Sequence, residues 1–195
     1  MHGFIFSELK KYVSKHFGPE AWEALLRDAG LGIRQYEHYS DYPDDEVVLL
    51  VSTASRASKL PEADILEGFG EFIAADLVAA FRPLLDPSWR TLEFLENVES
   101  VIHRVVRARN RKAKPPAISC SRIGPEEVLI TYGSKRRMCA LAKGIVIGAA
   151  NLFGEEVSIQ EEACMLRGDR LCLINVRRLS PSPPSPSSPS SRSVA

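Results

Sequence analysis

The sequence has little of what several protein classes require. It has no excess of either charge: 25 Lys and Arg face 25 Asp and Glu, for a formal net charge of zero. A dedicated nucleic-acid binder usually carries a global positive excess, so that class is excluded. No run of about 18 apolar residues exists, which excludes a helical membrane span. The opening, MHGFIFSELKKYVSKHF, interrupts its apolar positions with charges and so lacks the apolar core of a secretory signal. Four cysteines in 195 residues are too few for a disulfide scaffold. Without an export signal they are expected as reduced thiols or metal ligands. These absences predict a soluble cytoplasmic protein. Apolar residues make up 45% of the chain and charged residues 26%, enough for one ordinary domain with a real core.

Residues 180–193 hold eight Ser, five Pro and one Arg. Such a composition cannot bury apolar surface and is expected to form a disordered tail or linker. The folded domain is therefore expected to span residues 1–179, followed by a tail over 180–195. The first half reads helical. Phe4, Ile5, Leu9, Tyr12, Val13 and His16 fall at helical spacings ahead of Gly18, and Trp22, Leu25, Leu26 and Ala29 repeat the pattern ahead of Gly30. Pro61 to Leu84 opens with an acidic first turn and continues as a broad apolar face. Ser88 is placed to cap a helix through Leu92, Leu95, Val98, Ile102 and Val106, and Pro115-Pro116 ends any continuation. The second half changes period. Ala117–Ser121, Val128–Tyr132, Val157–Glu161 and Leu171–Val176 read as short strands, with Met138–Phe153 an apolar helix between them. The fold class is α+β: a helical subdomain, then an antiparallel sheet with one helix packed on it.

Two elements could carry chemistry. His103 sits in an apolar helical stretch with Val101, Ile102, Val105 and Val106. Such a residue is either a hydrogen-bonded core histidine or, as a neutral imidazole against apolar walls, an axial ligand for haem iron. Tyr132-Gly133-Ser134-Lys135-Arg136 ends a predicted strand. If extended, it aligns a phenol, a hydroxyl and a guanidinium on one face, a receptor for paired carboxylates. The alternative is a solvated strand end.

The chain resembles the haem nitric oxide/oxygen-binding (H-NOX) family, bacterial type, whose fold also forms the sensor domain of soluble guanylate cyclase. The resemblance covers Met1 to about Leu179. It rests on the MHGFIF opening, the Phe94-Leu95 … Val101-Ile102-His103 helix, the Pro115-Pro116 pair and Tyr132-x-Ser134-x-Arg136 followed by an apolar helix. It implies haem b held between the helical half and the sheet, with His103 as proximal iron ligand. Tyr132, Ser134 and Arg136 are then the propionate partners, and Pro116 presses on the porphyrin. Oxygen-binding members carry a distal tyrosine where Leu141 stands here, and Ile5 and Leu9 match the positions facing the gas. An apolar wall offers bound oxygen no hydrogen bond, which implies a nitric oxide sensor with little oxygen binding, carbon monoxide being a further ligand. The implied mechanism is loosening of the His103 bond by nitric oxide. The implied output is a sensor histidine kinase or a cyclic-di-nucleotide enzyme, the chain itself being no enzyme.

Some bacterial members also hold zinc with three cysteines and a histidine. Cys139, Cys164 and Cys172 match those cysteines, Glu161 stands about where the histidine would be, and Cys120 is another candidate fourth ligand. From residues alone these are equally buried thiols. A haem-free thiol or zinc redox switch on the same fold is thus the alternative reading. The basic run Arg104, Arg107, Arg109, Arg111, Lys112 and Lys114 reads as an exposed helix face or a docking face for an acidic partner.

Overall fold

The computed structural model describes residues 1–111 and 113–179; the predicted tail and Lys112 lie outside the described residues. Helix α1 (Gly3–Phe17) begins where His2 Nδ1 accepts from the Phe4 N–H at 3.3 Å, and it stops at Gly18. The +97° φ of Gly18 is one that L side chains rarely adopt. Helix α2 (Ala21–Asp28) buries Trp22, Leu25 and Leu26. Helix α3 (Asp44–Ser58) is absent from the sequence expectation. Its start is nevertheless chemically marked: Asp44, Asp45 and Glu46 face the unpaired amides of the first turn. Helix α4 (Glu62–Phe81) follows Pro61 and tightens into a 3-10 turn, Arg82–Leu84, as the Pro61–Leu84 segment predicts.

Helix α5 (Thr91–Asn97) starts later than expected, and Ser88 does not cap it. Asp86 Oδ1 takes both the Ser88 N–H at 2.8 Å and its hydroxyl at 2.6 Å, which folds Ser88 into a preceding turn. The carboxylate of Glu93 instead reaches back to the Arg90 N–H at 3.1 Å. The helix does not run on regularly either. Val98–His103 forms a π-helical turn before α6 (Arg104–Arg109), and the Arg104 N–H bonds the Glu99 carbonyl five residues back. Helix α6 ends well before Pro115.

Strands β1 (Ala117–Gly124), β2 (Glu127–Gly133), β3 (Glu156–Ala163) and β4 (Cys172–Leu179) form one sheet in the order β1-β2-β4-β3, antiparallel throughout. Helix α7 (Cys139–Phe153) joins β2 to β3. The α+β class is as the sequence predicts. Alternation decides which face of the sheet is covered: Val128, Ile130 and Tyr132 on β2, and Cys172, Ile174 and Val176 on β4, are buried.

Helices α4 and α7 lie against each other along small residues. A Cβ at Gly144 would stand 2.0 Å from the Glu67 carbonyl oxygen, and one at Gly70 2.3 Å from that of Leu141. Only glycine permits that approach. The apolar interior divides into two clusters. Leu92, Phe94, Leu95 and Ile102 meet the buried sheet face in one. Phe6, Leu9, Val13, Trp22, Leu50, Phe69 and Ile73 of the helical half form the other, with α7 touching both.

Candidate functional site

His103 closes the π-helical turn, an element that recurs at functional sites because it displaces a side chain from its regular helical position. Its side chain is 13% exposed, and its Nδ1 lies 2.8 Å from Oε2 of Glu99. Arg107 bonds the other Glu99 oxygen from the following turn. Burial pulls the His103 imidazole below its ordinary value, partly offset by the Glu99 carboxylate. Burial works against ionised Glu99, but Arg107 and His103 outweigh it and hold its carboxyl below the usual range. A neutral ring bound to a carboxylate donates through Nδ1, which leaves the lone pair on Nε2. That is the form a metal-ligating imidazole takes, so the donor fits haem iron. Sequence reasoning missed Glu99, although its Glu-x-x-x-His spacing on a helix was a usable signal.

The second cluster lies at one end of the sheet. Tyr132 is 3% exposed, and burial raises its phenol, with Ser134 and Arg136 pulling the other way. Ala117 pairs with Gly133, so Pro116, just before β1, comes beside the end of β2. The expectation of one extended face through Arg136 is corrected. Strand β2 ends at Gly133, and Ser134 makes a turn in which its Oγ accepts the Arg136 N–H at 3.2 Å and its carbonyl the Arg137 N–H at 3.1 Å. Arg137 sits at a φ of +52°. The Ser134 hydroxyl competes with the sheet for backbone donors, and the chain turns.

Arg136 is consequently held from two sides. It donates to Asp44 Oδ2 at 3.1 Å and to the Lys114 carbonyl at 2.9 Å. The Met1 ammonium donates to the other Asp44 oxygen at 2.7 Å. Burial opposes the charge on Asp44, but the ammonium and guanidinium prevail and hold its carboxyl below the ordinary value. Asp44 was also missed by the sequence reading, since nothing local to α3 points to Arg136.

The gas-facing candidates share one apolar cluster: Leu9 of α1 is buried in it, and Ile5 of α1 and Leu141 of α7 pack half-buried against it.

The cysteines form a third group. Ligand atoms of Cys139, Cys164, Cys172 and Glu161 all lie within 4.8 Å of one another. Sγ of Cys164 is 3.7 Å from that of Cys139 and 4.0 Å from that of Cys172. Glu161 turns one oxygen to Arg167 at 3.0 Å, while its buried Oε1 has no hydrogen-bond partner. Burial, with the neighbouring thiols, pushes Cys139 up to about 12. This donor set can hold a tetrahedral cation. Cys120, the other candidate fourth ligand, lies on β1 outside this group.

Among the described residues no helix is long and apolar enough to cross a membrane. The family described as haem-NO-binding matches residues 2–161. Soluble guanylate cyclase gcy-35 of Caenorhabditis elegans is 25% identical over 158 residues, covering 75% of this chain and 22% of that protein. Soluble guanylate cyclase gcy-34 of the same organism is 25% identical over 193 residues, covering 88% and 27%. The chain thus spans only about a quarter of the length of these curated relatives. Among solved structures, an H-NOX protein of S. oneidensis in the Fe(II)NO state superposes with a TM-score of 0.86 at 24% identity, covering 92% of this chain and all of that one. Unliganded Fe(II) H-NOX from K. algicida gives a TM-score of 0.82 at 21% identity, covering 92% and 97%. The length of the family match, with the shared fold beside it, leads to one conclusion: the chain belongs to the haem-NO-binding, or H-NOX, family.

Proposed function

We propose that this domain is a haem-based nitric oxide sensor whose iron ligand is His103. The observation that carries the reading is the His103 ring itself: 13% exposed and bonded through Nδ1, it offers Nε2 from a π-helical turn. Haem, when bound, supplies a ferrous iron that takes diatomic gases. The remaining work falls to the chain. Tyr132, Ser134 and Arg136 offer a phenol, a hydroxyl and a guanidinium for the two propionates, and Pro116 supplies a rigid ring to lie against the porphyrin. Ile5, Leu9 and Leu141 exclude water from the gas side and provide no donor. A donor-free wall disfavours oxygen, which gains from a hydrogen bond, and leaves nitric oxide and carbon monoxide. Release of His103 would free the π-helical turn and α6, giving two arrangements of one element that a ligand can bias. The domain is a sensor and not a catalyst, so its output lies in a partner or beyond residue 195, and the partner we take to be a histidine kinase or a cyclic-di-nucleotide enzyme.

The test is the visible spectrum of the dithionite-reduced protein in argon, air and nitric oxide, beside a His103→Ala control. The expected result is a haem band that ignores air, shifts with nitric oxide and is altered in the control. A protein that takes up no haem when supplied with it overturns the reading.

A second reading, a thiol or zinc redox switch, is favoured by the Cys139, Glu161, Cys164 and Cys172 group. It can operate beside haem or without it. Oxidation of the thiols removes their lone pairs from a metal, and zinc release on mild oxidation of colourless protein is its signature.

A further inference from the structure

The sensor reading uses His103 but leaves unexplained the charged group bonded to it. Glu99 stands one turn before His103 and Arg107 one turn after, so three consecutive turns line up a guanidinium, a carboxylate and an imidazole. The contact to the ring is 2.8 Å, and the ring is 13% exposed while Glu99 is 38% exposed. In a free neutral imidazole either ring nitrogen can carry the proton and donate. Here the nitrogen is chosen. Glu99 takes Nδ1, the nitrogen that must carry the proton if Nε2 is to bind a metal. The opposite choice would leave His103 unable to serve. The π-helical turn contributes to this choice, because Glu99 and His103 both lie within it.

We propose that Glu99 is a positioning residue for the sensor. It fixes the His103 tautomer and, by drawing on the Nδ1 proton, makes Nε2 a stronger electron donor, so that it sets how readily His103 is released. The inference rests on His103 being the iron ligand. A carboxylate behind a ligating imidazole raises its basicity, and a more basic ring holds metal more tightly. Arg107 tempers this by binding the other oxygen of Glu99 and withdrawing charge from it. Together the two residues form a graded control on the trigger: Glu99 tightens the ligand and Arg107 eases it. Both lie on the element that the ligand's release would move.

The experiment uses the full chain loaded with haem and reduced, without gas, and reads the iron–histidine stretching band by resonance Raman. The wild-type protein is compared with His103→Gly, Glu99→Gln and Arg107→Ala. A wild-type band that survives in His103→Gly overturns the haem-ligand reading itself, whatever Glu99 does. With that band assigned, Glu99→Gln is expected to move it to lower frequency and Arg107→Ala to higher. Stopped-flow mixing of Glu99→Gln with nitric oxide is expected to show His103 release about 10–100-fold faster. A band unmoved in Glu99→Gln, or moved the same way by both variants, overturns the proposal and reduces Glu99 to a staple of the π-helical turn. The wild-type protein gives an independent readout that needs no variant. The His103 Nδ1 proton, visible in its paramagnetically shifted NMR signal, is expected to exchange slowly with water. Exchange as fast as in a solvent-exposed imidazole overturns the proposal equally.

Discussion

Asp44 at the start of α3 joins Arg136, 92 residues away, to the chain's own ammonium: its Oδ2 takes the guanidinium at 3.1 Å and its Oδ1 takes Met1 at 2.7 Å. One carboxylate therefore ties the helical half to the turn beyond β2. The folded-state value of Asp44 is lowered, so its contribution is fully present above the ordinary value of 3.8 and is lost as pH falls through the folded value. The carboxylate is 39% exposed, and solvent screening holds the two pairs together to about 1 kcal/mol. Asp44→Asn is expected to lower the free energy of unfolding by that amount at neutral pH. The difference from wild type should shrink as the pH falls below 3.8 and vanish once Asp44 is protonated in the folded as well as the unfolded chain. Urea melts of both proteins from neutral pH down into acid check the sign. A deficit that persists unchanged in acid shows that the loss comes from packing and not from charge.

Packing has its own sharp test at the α4–α7 contact. A Cβ at Gly144 would lie 2.0 Å from the Glu67 carbonyl oxygen and 2.9 Å from the Glu71 nitrogen. Both are backbone atoms of a helix, which cannot swing aside as a side chain could. Gly144→Ala must part the helices, at a cost of about 1–3 kcal/mol or more. Thermal melting should show a clear drop in Tm. At Gly154, where the φ is +69° and a Cβ meets nothing within 4 Å, alanine adds strain without collision, so the smaller loss is expected there.

These features differ in how readable they are from the chain. The strands were legible because Val128, Ile130 and Tyr132 alternate with half-buried neighbours, a period no helix shares. Helix α3 was not, because its buried Val47, Leu50 and Val51 stand among exposed Val48 and Leu49, so no apolar stripe emerges. The turn at Ser134 escaped for another reason. It depends on one hydroxyl-to-amide bond and one positive φ, local choices with no periodic trace. The Cys139, Cys164 and Cys172 cluster was accessible only through the resemblance. These residues are 25 and 8 positions apart, and only the register of β3 on β4 with the start of α7 brings their sulfurs together. The links from Asp44 to Arg136 and from Glu99 to His103 show the same contrast. The first is long-range and silent, while the second is one helical turn and was open to reading.

The thiol group predicts a metal content. With three sulfurs and a carboxylate whose buried oxygen lacks a partner, the reduced protein is expected to carry about one zinc per chain. Cys164→Ser should lose it, since Cys164 is within 4.0 Å of both other sulfurs. Cys120→Ser should keep it. Glu161→His, restoring the more usual nitrogen donor, should hold zinc at least as firmly. Elemental analysis finding under about a tenth of an equivalent in freshly reduced protein removes the site and the zinc form of the redox reading with it.

The selectivity argument turns on Leu141, half-buried against the cluster that holds Leu9 and Ile5. If oxygen is refused because the wall has no donor, supplying one should admit it. Leu141→Tyr places a phenol near the start of α7, at a half-buried position on the apolar cluster that also holds Leu9 and Ile5. A hydrogen bond to a partly charged ligand contributes about 1.5 kcal/mol, roughly a tenfold gain in affinity. The reduced variant should change its visible spectrum in air and hold the new spectrum, while its response to nitric oxide changes little. Leu141→Phe is the matching control, with the bulk of the ring and no hydroxyl. If Phe and Tyr behave alike, shape and not hydrogen bonding governs which gas is admitted. If Tyr alone responds to air, the absent donor is the reason the native wall selects nitric oxide.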